Sequence, residues 1–116
     1  MAMTVPGVVD ATVNLEFFPG SQVGGYMFGS GGSTRSKGPL NQEDDYYGCT
    51  WHKDGTEITV HLDMEAKTCC FSVDDRPQGV AFVNLPHCVY PAASMSCGGA
   101  FRFLYISSAC DEEGKL

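Results

Sequence analysis

Six cysteines and three histidines are the side chains of this sequence best suited to covalent or metal chemistry, and their spacing limits what they can do. Cys49/His52, His61/Cys69 and His87/Cys88 lack the paired spacing of a structural zinc site, and no Cys-x-x-Cys occurs. A nucleophilic thiol needs a base in hydrogen-bond reach and an electropositive surround that lowers its pKa. The charge around these cysteines is acidic, so a cysteine-dependent hydrolase is disfavoured and no catalytic residue is assigned. Cys69 and Cys70 are adjacent in an extended run and point to opposite faces, which argues against a core cystine framework and for small apolar packing roles. Cys97, beside Gly98 and Gly99, reads as exposed on a turn.

Three further groups invite a ligand. Gly29-Ser30-Gly31-Gly32-Ser33-Thr34 has closely spaced glycines, but neither a Gly-Lys-Ser/Thr ending nor a following helix, so it reads as a flexible connection and not a phosphate loop. Glu43-Asp44-Asp45 lacks the interleaved ligands and glycine of a calcium loop and reads as a solvated acidic turn. No metal ligand and no cofactor follow from these residues. Trp51 with Tyr46 and Tyr47 is a dense aromatic group that suits either a core or a partner anchor. His61 reads as a surface or second-sheet histidine.

The elements that must position these groups are strands. From Thr56 to Arg76 the sequence has no Gly or Pro and alternates. Ile58, Val60, Leu62 and Met64 oppose Glu57, Thr59, His61 and Asp63; after a turn at Glu65-Ala66-Lys67, Cys69, Phe71 and Val73 oppose Thr68, Cys70 and Ser72. This predicts a hairpin with one buried face, ended by a turn at Asp74-Asp75. Strand-like runs follow at Gly79–Val83, Val89–Met95 and Ala100–Ile106, and shorter ones precede at Val5–Val9, Val13–Phe18 and Gly25–Phe28. Gly29–Asp45 reads as one long loop. The spacing is that of a sandwich meander, an all-β fold.

With 116 residues, 43% hydrophobic, the sequence predicts one domain over residues 1–110 and a polar tail over 111–116. Seven basic against fourteen acidic residues give a net charge of −7, which disfavours nucleic acid and anionic membranes as partners. No apolar run reaches membrane-span length and Met1–Asp10 lacks signal-peptide character, so the expected location is cytoplasmic.

From Gly55 to Ile106 the sequence resembles the SPRY domain family. The resemblance is carried by Gly55–Met64, then Lys67-Thr68-Cys69-Cys70-Phe71-Ser72-Val73-Asp74, then Gly79-Val80-Ala81-Phe82 with Leu85-Pro86, then Val89-Tyr90-Pro91-Ala92-Ala93-Ser94. Gly7-Val8-Val9-Asp10, Gly24-Gly25-Tyr26, Gly31-Gly32-Ser33 and Lys37-Gly38 match more loosely. Asp74-Asp75 stands where the family has Asn-Gly, and Cys69 where it has leucine.

The resemblance implies a bent antiparallel β-sandwich without enzymatic activity that binds a protein or peptide through loops at one end. It places partner contacts at Met95, Ser96, Cys97 and Gly98, and at Tyr26 and Phe28. The family's strands before Gly7-Val8 have no counterpart, which implies an open sheet edge beside Val5–Val9. The alternative function follows from that edge: a structural subunit of an oligomeric assembly whose sheet is completed by another chain.

Overall fold

A computed structural model describes residues 3–36, 44, 46–51, 53–96 and 102. They form two antiparallel sheets. The first has strand order β3-β2-β1-β7, with β1 Met3–Val9, β2 Gly25–Phe28, β3 Thr34–Ser36 and β7 Tyr90–Ser96; the second runs β4-β5-β6, with β4 Ile58–Asp63, β5 Thr68–Val73 and β6 Arg76–Phe82. The fold is the all-β sandwich expected. Among the described residues no helix is long and apolar enough to cross a membrane.

The second sheet is the part whose sequence leaves least freedom. Ile58 pairs with Val73, Val60 with Phe71 and Leu62 with Cys69, so the two apolar alternations share one face, as the period-2 pattern requires. At the β4–β5 turn, Asp63 Oδ1 accepts from the Glu65 and Ala66 amides at 3.1 and 3.0 Å, and Lys67 closes the turn at φ 61°. Between β5 and β6, Asp74 and Asp75 hold φ 48° and 68°, the left-handed pair that a two-residue hairpin needs and that Asp tolerates better than most residues.

The core lies between the sheets. Val8, Tyr26 and Phe28 meet Cys69, Phe71, Val73, Phe82 and Leu85. Phe28 stacks tilted on Phe71 with centroids 5.0 Å apart, and Tyr26 meets Phe82 edge-on at 5.3 Å. Each such pair contributes about 0.5–1.5 kcal/mol beyond the area it buries. On the outer side of the first sheet, a 3-10 turn at Pro19–Ser21 lies against β2 and β3. Gly25 permits that approach, since a Cβ there would collide with the Pro19 carbonyl.

Four expectations are corrected. Val13–Phe18 forms turns instead of a strand, because side chains capture its backbone groups. The loop Gly29–Asp45 contains β3, which pairs with β2 through Phe28↔Thr34. The strand expected at Gly79 begins at Arg76, directly after the Asp-Asp turn. Finally, β1 is paired on both sides. It meets β2 through Val9↔Gly25 and β7 along its whole length, from Met3↔Ser96 to Val9↔Tyr90, so the edge beside Val5–Val9 is closed within the chain. Of the run expected over Ala100–Ile106, all but Arg102 lies outside the described residues, and Arg102 is in no strand.

Candidate partner-binding surface

The residues expected to contact a partner do not converge. Tyr26 and Phe28 are 5% and 0% exposed, because β2 is an interior strand and these two positions face the second sheet. Their side chains belong to the core and present no surface, which corrects the expectation carried over for them. Met95 and Ser96 end β7, level with Thr4 and Met3 of β1. Tyr26 is level with Val8, so Met95 lies four residues along and two strands across from it, roughly 13 Å by 10 Å. Cys97 and Gly98 lie outside the described residues.

A different surface stands out at the opposite end of β7, where the β1–β2 connection passes Tyr90. Asp10 Oδ1 accepts from the Thr12 amide and hydroxyl at 2.9 and 2.6 Å, and Asn14 Oδ1 accepts from the Glu16 amide at 2.9 Å. Both are side-chain turns that replace a strand ladder. The Gln22 amide then pairs with Asn14 on both sides. Its Oε1 accepts from Asn14 N–H and its Nε2 donates to the Asn14 carbonyl, each at 2.8 Å. The connection is thereby fixed with Val13 turned inward and three large apolar side chains turned out: Leu15 at 79%, Phe17 at 64% and Val23 at 68% exposure.

Leu15 also borders a groove of about 430 Å³ whose other walls include Val9, Asp10, Val13, Tyr90 and Pro91. Tyr90 is half exposed at its rim. Its phenol titrates above the ordinary range, first through its hydrogen bond to the Cys88 thiol and then through that group's charge. Sequence reasoning missed this surface because Val13, Leu15 and Phe17 alternate like a strand. The signal available was the pair Asp10/Thr12 and Asn14/Glu16, each with the two-residue spacing of an Asx turn.

The aromatic group at Tyr46, Tyr47 and Trp51 divides. Tyr46 is 94% exposed, while Tyr47 and Trp51 pack on the core beside Phe28. The Tyr47 hydroxyl enters a fault in the second sheet, where β6 carries an extra residue opposite Phe71 and Gly79 takes φ 95°. There it accepts from the Phe71 amide at 3.3 Å and donates to the Gly79 carbonyl at 2.5 Å. Burial pushes its pKa up to about 12, partly opposed by the Phe71 hydrogen bond. The same segment reaches the first sheet's turn, since Gly48 N–H donates to Gly32 and Trp51 N–H to Ser30. It closes one end of the sandwich.

Of the reactive groups, Cys49 and Cys88 are exposed free thiols, and Cys69 is buried with its thiol pushed up to about 12 by desolvation. On the outer face of the second sheet, His61 Nε2 lies 2.9 Å from Ser72 Oγ, a base beside a hydroxyl. Ser72 is only 5% exposed, so an incoming carbonyl has no approach to that oxygen. Asp44, the described member of the acidic run, is bridged to Thr34 through paired backbone hydrogen bonds. Among the described residues, no three His, Cys, Asp or Glu side chains converge on a metal-sized site.

The sequence matches no protein-family model and no curated protein.

Proposed function

We infer that this protein is a non-catalytic, SPRY-like interaction module that binds a protein or peptide partner at one end of its sandwich. The observation that carries the reading is the set of large apolar side chains, Leu15, Phe17 and Val23, held in solvent on a hydrogen-bonded connection, with half-exposed Tyr90 of β7 sharing a groove with Leu15. Exposed apolar groups on a fixed scaffold lose little entropy on contact and desolvate favourably, the properties of a binding anchor. The ordered motifs from Gly55 to Ser94 support the SPRY-like part, since their hairpins fall at β4–β5 and β5–β6. Capture of partners by wild type, by Leu15→Asp with Tyr90→Ser, and by Met95→Asp at the far end tests it. Loss of one partner in the double variant alone is expected; unchanged partners in all three would overturn it.

A second reading, a subunit whose sheet is extended by another chain, is favoured by a specific feature. It rests on β4, the outer strand of the second sheet, and not on the edge beside β1.

A further inference from the structure

Among the described residues, four strands form the sheet edges: β3 and β7 in the first sheet, β4 and β6 in the second. Three are interrupted or short. β3 has three residues and is bridged at Thr34 to Asp44. β6 contains Pro77, a register fault and Gly79 at positive φ. β7 contains Pro91. Such features prevent an edge from recruiting a further strand. β4, Ile-Thr-Val-His-Leu-Asp, has none of them: six residues in unbroken register with β5, without proline, glycine, bulge or lysine.

Its bonding direction can be assigned. The Glu57 carbonyl accepts from the Asp74 amide at 2.8 Å, so Glu57 points its backbone groups toward β5. Alternation makes Thr59, His61 and Asp63 do the same and turns the N–H and C=O of Ile58, Val60 and Leu62 outward. Among the described residues nothing pairs with that row. The side chains of the same three residues face the core but are incompletely covered: Ile58 and Val60 are half-buried and Leu62 is 38% exposed. The edge therefore offers backbone donors, backbone acceptors and uncovered apolar surface in one line.

The occupant follows from the pairing geometry and the charge. Residues placed opposite Ile58, Val60 and Leu62 would join the core face and must be apolar. Those opposite Glu57 and Asp63 would meet a carboxylate at each end of the strand, on a chain of net charge −7. A second copy of this chain fits badly. The antiparallel register that aligns all three outward residues sets Ile58 against Leu62, but also Glu57 against Asp63, like charges directly opposed. We propose that β4 docks an extended cationic segment of a partner protein, alternating apolar and polar residues with a basic residue at each end. The proposal rests on the second reading above and adds the partner's chemistry to it.

The test uses the whole chain and the peptide Lys-Val-Thr-Val-Thr-Val-Lys, followed by fluorescence anisotropy and by residue-resolved amide hydrogen exchange. Binding should slow exchange at Ile58, Val60 and Leu62 while leaving Thr59 and His61, already bonded to β5, unchanged. A peptide with Glu in place of both Lys should bind about tenfold more weakly, from two end pairs changed from attractive to repulsive. N-methylation of the central valine should abolish binding, and so should Val60→Pro, a substitution an edge strand accepts where its N–H faces solvent. The N-methyl peptide keeps the test decisive should that variant unfold. Equal binding of both peptides with the same protected amides would overturn the cationic partner and leave strand addition standing. Binding without protection of those amides, no binding at all, or a stable dimer of the protein alone in sedimentation would overturn the proposal outright.

Discussion

Replacing Tyr47 with Phe removes one oxygen atom and nothing else. The ring keeps its edge-on contact with Phe28 at 5.3 Å, so any change in stability reports the hydroxyl's place in the fault between β5 and β6. Two backbone groups lose their partner. The Phe71 amide sits in a part-buried bond, and leaving it unsatisfied costs about 1–3 kcal/mol. The Gly79 carbonyl lies on the exposed side, where water replaces the lost donor and little is forfeited. The expected loss is therefore about 1–2 kcal/mol, or roughly a 4–8 °C fall in Tm for a domain of this size. Urea denaturation measures the loss. Amide exchange locates it, with faster exchange expected at Phe71 and no change at His61 across the undisturbed β4–β5 ladder. Tyr47→Ala should cost more, since it also removes ring packing. Stability within about 0.3 kcal/mol of wild type, with Phe71 exchange unaltered, would refute the assignment of the hydroxyl as a ladder substitute.

Asp75→Gly should stabilise the protein by about 0.5–1 kcal/mol in urea denaturation, because it relieves an L-residue at φ 68° and creates the Asp-Gly pair favoured in such hairpins. Asp74 is the poorer target, since its carboxylate accepts from the Glu57 amide at 2.9 Å. Stability should decline with pH from about 9 to about 12. Cys69 and Tyr47 both have folded pKa values raised to about 12, so the unfolded chain releases these protons first; their contribution is full below the ordinary pKa and lost as pH rises through the folded one. Denaturation midpoints across that range check the sign, and Tyr47→Phe should flatten the part above pH 10. Iodoacetamide under native conditions should label Cys49 and Cys88 and spare Cys69 until the protein is unfolded, as peptide mapping would register.

What the sequence makes legible is set by how local the physics is. The β4–β5 hairpin and the turn that ends it are legible because two alternations and a two-residue turn act within about twenty residues, and the face of Cys69 alone puts it in the core; the start of β6 at Arg76 is not, since Pro77 and Gly79 hide it. The pairing of β1 with β7 joins residues more than eighty positions apart and leaves no local mark. The open edge inferred beside Val5–Val9 was lost for that reason. Val13–Phe18 alternates without forming a strand because alternation states only that a segment could pair; the Asn14 and Gln22 side chains hold its backbone groups instead. The partner contacts that the resemblance implies at Tyr26 and Phe28 fail because the burial of these residues depends on β2 being interior, a property of sheet order and not of the strand itself.

Site-specific photo-cross-linking from position 15, with position 75 on the β5–β6 turn as the control, tests the interaction reading most directly. A discrete adduct with one protein from position 15 and none from position 75 is the expected result. No adduct from position 15, or the same adducts from both positions, would contradict it.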